Sequence, residues 1–446
     1  MRLENFLFKK IELWILIIVI LLFLIGSVTF AWLAKYSTEL ERYSPKVAKT
    51  VNKIMEPVNI FFKTSYKILT TGSANPSFLK VEFEPGFIIK DNYKNDGYFL
   101  ISAFDNNFKE NSVFLYSLLD QELIKTWSPK VKELNNLISN NYKKTPQDLP
   151  MNFRSQHPLL LSDGGIIINS GDGILLKLNK KSEIEWFIER KFHHSIENGL
   201  DSKTILTNIV IDDPLSFKTG YKFSNIRNDG YAIVSLDGKI LEERSIAQIL
   251  YDNEYYGLLF GQNWEYDKIH LNDAEFITKT DAFVKRGDIM ISARNISTVF
   301  LYRPSSNKII WLRSGPFLNQ HDIDYLGNGI FSIFGNDNVR GKMINSRIVQ
   351  KYSGIYFYDM SKDKIIKKIL LKKSNTSIDS QGRSRVLNDG KIFIDDGVQA
   401  MILSESGDVL LSYSHKLGDK IVGAMHWSRY YKKNEISDHI LNSENK

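Results

Sequence analysis

Four histidines and one arginine are the residues of this chain best suited to chemistry. His157, His194, His270 and His321 occur in SQHP, FHHS, KIHLN and NQHD, and Arg294 follows His270 in the run GDIMISARN. Imidazole is a common ligand for zinc, copper and iron, but a guanidinium beside such ligands would repel the cation, so the arginine argues against a metal. Anion chemistry suits the set better. Arginine presents a planar fork to a tetrahedral oxyanion, protonated histidine adds donors, and one neutral histidine can be the nucleophile. Transfer of a phosphoryl or sulfuryl group through a histidine adduct needs that division of labour, with the extra donors on the equatorial oxygens. The other histidines, His193, His415, His426 and His439, have no equivalent placement and read as structural or surface residues.

Residues so far apart can meet only on a repeating frame. An apolar run, a polar turn and a second apolar run recur six times, beginning at Val113, Ile174, Ala232, Val299, Ile355 and Ala400. The turn residues Glu122, Glu183, Lys239, Lys308, Lys364 and Asp408 stand 44 to 69 positions apart. Four-stranded units with a period of about 40 to 50 residues indicate a propeller. A second set of strand runs follows Gly-containing turns, beginning at Asn95, Ser162, Arg286, Gly327 and Asn388, with a glycine-free counterpart at Asp201. These read as the inner strands. The expected fold class is all-β, a six-bladed β-propeller over residues 79–431, whose closure removes exposed sheet edges. The first strand of each blade lines the central channel, so the four histidines, opening four successive blades, would converge there with Arg294.

The rest of the chain sets the context. Residues 1–12 are an N-terminal flank, and Leu13 to Ala34 are 22 residues without a charge, LWILIIVILLFLIGSVTFAWLA, with Trp14 and Trp32 near the two ends. About 20 helical residues cross a hydrocarbon core, and the run exceeds the apolar core of a cleaved signal, so an uncleaved single-pass membrane anchor is expected. Lysines and arginines flank both ends, and charge does not decide the orientation. Residues 35–78 read as a short helical stalk interrupted at Pro45, and 432–446 as a polar tail. The chain has no cysteine, which removes disulfides and thiolate chemistry. Its net charge of +7, from 58 Lys and Arg against 51 Asp and Glu, is spread along the chain and predicts no nucleic-acid partner.

The order HHSIE, HLND with SARN and NKIIW, then QHD, on a six-unit β repeat, resembles the bacterial aryl sulfotransferases over roughly residues 150–415. The resemblance implies a six-bladed propeller that moves a sulfuryl group from an aryl sulfate ester to a phenolic acceptor through a sulfohistidine. It implies no nucleotide sulfate donor and no cofactor. His321 would be the nucleophile. His194, His270 and Arg294 would bind the sulfuryl and ester oxygens, one of the histidines protonating the leaving phenolate. His157 takes a supporting place in substrate binding, and Asn272 fixes the turn or hydrogen-bonds in the mouth. The body would lie on the periplasmic side of the membrane. Dimerisation does not transfer, because a helical segment stands where well-known members carry a β-rich domain, and the oligomeric state does not follow. The competing class is a membrane-tethered propeller that binds a ligand or partner without catalysis. A quinone-dependent dehydrogenase is disfavoured, since Trp127, Trp186 and Trp311 end outer strands in only three units.

Overall fold

The computed structural model describes residues 13–35 and 77–441, apart from 151, 218–221, 224–225, 262–265, 339–349, 377 and 379, together with the isolated helical positions Thr50, Lys53 and Ser65. Most of the expected stalk lies outside the described residues. The chain divides into two units, Met1–Ala74 and Asn75–Lys446. In the first, Leu13–Lys35 is one helix, and its described apolar side chains, Trp14, Ile17 to Ile25 and Trp32, are exposed. Side chains are described for only part of that helix, and among the described residues no helix is long and apolar enough to cross a membrane.

The second unit is mostly β and antiparallel. Four-stranded groupings follow one another along the chain. The first joins the C-terminal strand Arg429–Tyr431 to Tyr98–Asp105, Glu110–Ser117 and Leu123–Trp127. The second and third form one seven-stranded sheet that shares the 15-residue strand Ile184–Asn198. Its first half pairs outward with Gly173–Leu178, while its second half, from Phe192, pairs with Thr204–Val210 and so opens the third grouping. Leu271–Phe276, Ile289–Ala293, Thr298–Arg303 and Lys308–Ser314 form the fourth, and Asp322–Gly327 to Lys364–Leu370 the fifth. The sixth runs from Arg383–Val386 to Val409–Ser414, with Gly86–Ile89 added at its edge.

The outer hairpins fall where the sequence repeat predicts them. The inner strands do not. The runs after the Gly-containing turns, such as Ile166–Asn169, Ile289–Ala293 and Ile392–Asp395, are the second strand of each grouping. The first strands are Gln156–Leu160, the half of Ile184–Asn198 from Phe192, Leu271–Phe276, Asp322–Gly327, Arg383–Val386 and Arg429–Tyr431. They carry buried polar and charged residues such as Glu197, Asp273, Asp322 and Arg383, so they lack the apolar alternation by which a strand is recognised.

Apolar layers hold consecutive groupings together. Leu100 and Val113 pack with Ile166 and Ile168, Ile167 with Ile205, and Tyr231 with Leu271. The series continues with Met290 and Ile333, Phe334 and Ile394, and ends with Phe393 and Ile402 against Phe99 and Ile101 of the first. A matching series of hydrogen bonds runs around the inner strands. His157 Nδ1 accepts from Ile196 N (2.9 Å), Ser195 Oγ from Ala274 N (3.1 Å), and Asp273 Oδ2 from Ile323 N (3.4 Å). Asp322 Oδ2 then accepts from Ser384 N (2.8 Å), Asp395 Oδ2 from Ser428 N (2.5 Å), and His426 O from His157 N (3.0 Å), which returns to the starting strand. Each bond satisfies a backbone donor that the start of an inner strand would otherwise leave buried and unpaired.

Candidate active site

The inner strands begin with a left-handed backbone residue. His157 (φ 49°), His194 (φ 54°), His270 (φ 51°), Gln381 (φ 77°) and Trp427 (φ 62°) share this conformation at five of the six entries, and Asn319 (φ 51°) stands two residues before His321 at the other. Histidine and asparagine tolerate positive φ better than most residues, whereas tryptophan there is an outlier.

His194, His270 and His321 come together. The His194 ring centroid lies 5.0 Å from that of His270 and 6.3 Å from that of His321. Arg294 opens a short 3-10 turn after Ile289–Ala293, is fully buried, and donates its backbone N–H to His270 O at 3.0 Å. Its guanidinium donates to Asn295 Oδ1 at 3.0 Å, and its charge acts on His321.

His321 is fixed at both ring nitrogens. Nδ1 faces Asn336 Oδ1 and, at 3.3 Å, the backbone oxygen of Asn319, both acceptors, so the proton sits on Nδ1. Nε2 therefore carries the lone pair, and it accepts the Gln381 backbone N–H at 3.0 Å. Burial, then the Arg294 charge and His270, hold this imidazole well below the ordinary histidine pKa. His194 is likewise kept neutral, first by burial and then by His270, His193 and His321.

His194 and His270 each have an orienting partner. His193 Nδ1 meets His194 Nδ1 at 2.9 Å, while His193 Nε2 faces Asp229 Oδ1 at 3.4 Å. Burial opposes ionisation of Asp229, but Arg227 and His193 overcome it and hold the carboxyl well below its usual range. His270 Nδ1 meets Asp267 Oδ2 at 2.5 Å. His193, read from the sequence as structural, thus touches the cluster, and only its adjacency to His194 could have signalled that.

Two expected binding residues sit elsewhere. His157 has partners outside the cluster of His194, His270 and His321: its Nε2 contacts Arg383 Nη1 and lies 3.4 Å from Glu197 Oε1. Asn272 Nδ2 donates to Gln320 O at 3.1 Å and so ties its strand to the segment that leads into Asp322–Gly327. Beneath them the inner strands carry a buried charge network. Burial and then Asp322 push Asp273 well up, burial pushes Asp322 up to about 6, and Arg383 stays charged because Asp322 and Glu197 outweigh its burial.

Trp427 is the residue that the sequence did not reveal. It is 1% exposed, and its ring centroid lies 5.2 Å from that of His157, 5.5 Å from His194 and 6.3 Å from His321. Its Nε1 has no acceptor among the described residues. It comes from the C-terminal end of the chain, beyond the repeat, where no periodic signal marked it.

Among the described residues no group of three or more His, Asp and Glu could hold a metal ion. What the cluster offers is a neutral nucleophilic nitrogen beside two imidazoles and a guanidinium, a set matched to a tetrahedral anion. The family model described as Arylsulfotransferase (ASST) matches residues 157–416. No curated protein matches the chain. The solved structure of a Bacteroides caccae protein of unknown function is similar over 76% of this chain and 100% of that one, at 9% identity and a TM-score of 0.47, a likeness too distant to bear on function.

Proposed function

The chain belongs to the arylsulfotransferase (ASST) family, and from that premise we propose that it transfers a sulfuryl group from an aryl sulfate to a phenolic acceptor through an adduct on His321. The observation that carries the reading is the state of His321. Its proton is committed to Asn336 and Asn319, so Nε2 is a free-base nucleophile without any prior deprotonation.

In the first half-reaction the Nε2 lone pair attacks sulfur, the bond between sulfur and the aryl oxygen breaks, and the phenolate leaves. Arg294 and His194 stabilise the charge on the sulfuryl oxygens. His270, braced by Asp267, delivers a proton to the leaving oxygen. In the second half-reaction the acceptor phenol returns a proton to His270, its oxygen attacks sulfur, and the bond between nitrogen and sulfur breaks. His321 is regenerated. The Gln381 N–H that occupies Nε2 in the resting protein yields that position to sulfur.

The same reading extends to the whole chain. The six groupings are the blades of a propeller closed by Arg429–Tyr431, and the returning series of apolar layers and hydrogen bonds supports that closure. Residues 13–34 are a membrane anchor, supported by the uncharged run and by the exposed apolar side chains of the helix, and the body is periplasmic. Steady-state kinetics with a chromogenic aryl sulfate and a phenol test the scheme. Parallel double-reciprocal lines, the mark of a two-step exchange, are expected. Chromophore release that no phenol accelerates would favour a plain hydrolase, and no release from a folded protein would favour a binding scaffold.

A further inference from the structure

A cavity of about 480 Å³ is lined in part by Gln381, whose backbone N–H donates to His321 Nε2 at 3.0 Å, so one residue separates the cavity from that imidazole. Leu79, Ile378 and Val398 give its wall an apolar surface, and Arg154 and His426 lie on the same wall. His426 is 6% exposed, and neither of its ring nitrogens has a partner among the described residues. Arg154 is anchored through its backbone, with N donating to Ser170 O at 3.2 Å and O accepting from Ser102 Oγ at 2.6 Å. Its guanidinium makes no ion pair among the described residues, since nearby Asp172 is taken up by Arg227 at 2.6 Å. An imidazole so deeply buried with both nitrogens unpartnered is unfavourable unless a ligand completes it, and the half-buried Arg154 brings a guanidinium to the same cavity. Asp396, the carboxylate on this wall, does not complete them. Its Oδ1 accepts the backbone N–H groups of Val398 (2.9 Å) and Gln399 (2.6 Å).

We propose, resting on the sulfuryl-transfer reading, that this cavity is the acceptor site and selects phenols that carry a second, anionic group such as a carboxylate. The aromatic ring lies against Leu79, Ile378 and Val398, the carboxylate takes the fork of Arg154, and the phenolic oxygen points past Gln381 to the sulfuryl group on His321. The match is geometric as well as electrostatic, because a guanidinium binds a carboxylate through two parallel hydrogen bonds. His426, which burial keeps neutral, adds a donor without adding charge.

The test uses the full-length chain in detergent micelles, with p-nitrophenyl sulfate as donor and either 4-hydroxybenzoate or the near-isosteric, uncharged 4-hydroxybenzamide as acceptor. The wild type is expected to favour the carboxylate in kcat/KM by about tenfold or more, the worth of one charge-assisted hydrogen bond. Arg154→Gln brings the ratio close to one, and Arg154→Lys, which keeps the charge but loses the fork, restores part of it. Equal use of the two acceptors by the wild type, or a preference that survives Arg154→Gln, overturns the proposal. Calorimetric titration with 4-hydroxybenzoate reads the cavity without turnover. Saturable binding that Arg154→Gln weakens, with no transfer to any acceptor, sinks the transferase chemistry and keeps the anion site. Transfer without carboxylate preference does the reverse.

Discussion

In the proposed scheme His321 differs from an ordinary catalytic histidine in needing no base to prepare it. Because burial, Arg294 and His270 hold it neutral far below the usual histidine range, the nucleophile does not titrate near neutrality. Acidification from about pH 8 to 5.5 is therefore expected to cause no loss of adduct formation in a single turnover, since only an unperturbed histidine nucleophile would be protonated at about 6.5. A fall with midpoint near 6.5 on acidification would contradict this assignment. The tautomer depends on Asn336. Asn336→Ala removes one of the two acceptors at Nδ1, leaving only Asn319 O at 3.3 Å, and so loosens the hold on that tautomer; kcat should fall at least about tenfold with the fold retained. Near-normal kcat in that variant would show that the tautomer is set elsewhere.

At the scale of elements, the outer hairpins were legible because their apolar and polar residues alternate around clear turns, as in VFLYRPSSNKIIWL from Val299. The inner strands were not. Residues such as Asp322, Asp324 and Arg383 face one another rather than an apolar core, and that inverts the usual polar signature. Nor could alternation show that Arg429–Tyr431 supplies the innermost strand of the first grouping, a pairing that joins the two ends of the body. Arg429 pins this strand, donating to Pro158 O at 2.8 Å and Glu197 Oε2 at 3.1 Å, and to Ile196 O. Arg429→Met leaves Glu197 short of a partner and should cost about 3 to 5 kcal/mol of stability. Urea unfolding checks it; a loss under about 1 kcal/mol would mean that the strand is held by its backbone alone.

On the scale of the whole molecule, the candidate site was largely legible as a set, since His194, His270, Arg294 and His321 were each placed by the repeat and three of their rings meet. Trp427, Gln381 and His426 were not, because the short segments that lead into Arg383–Val386 and Arg429–Tyr431 carry no apolar alternation to mark them. The body also carries buried histidines away from the cluster. Burial brings His415 down to about 4, against an unfolded value near 6.5, so the folded state binds fewer protons between those values. Its contribution to stability is thus present above about pH 6.5 and lost as the pH falls toward 4, a change of about 3 kcal/mol. Thermal unfolding of the wild type and His415→Gln between pH 4 and 7 should show a shallower acid loss in the variant. Identical pH slopes would remove His415 from acid sensitivity.

The most direct measurement is mass spectrometry of the full-length chain after a single turnover with an aryl sulfate and no acceptor. The sulfuryl-transfer reading predicts one added sulfuryl group, located on the peptide that contains His321, lost on addition of a phenol and missing from His321→Ala. An unmodified His321 peptide in a protein that still transfers sulfuryl groups, or an adduct that persists in His321→Ala, would contradict it.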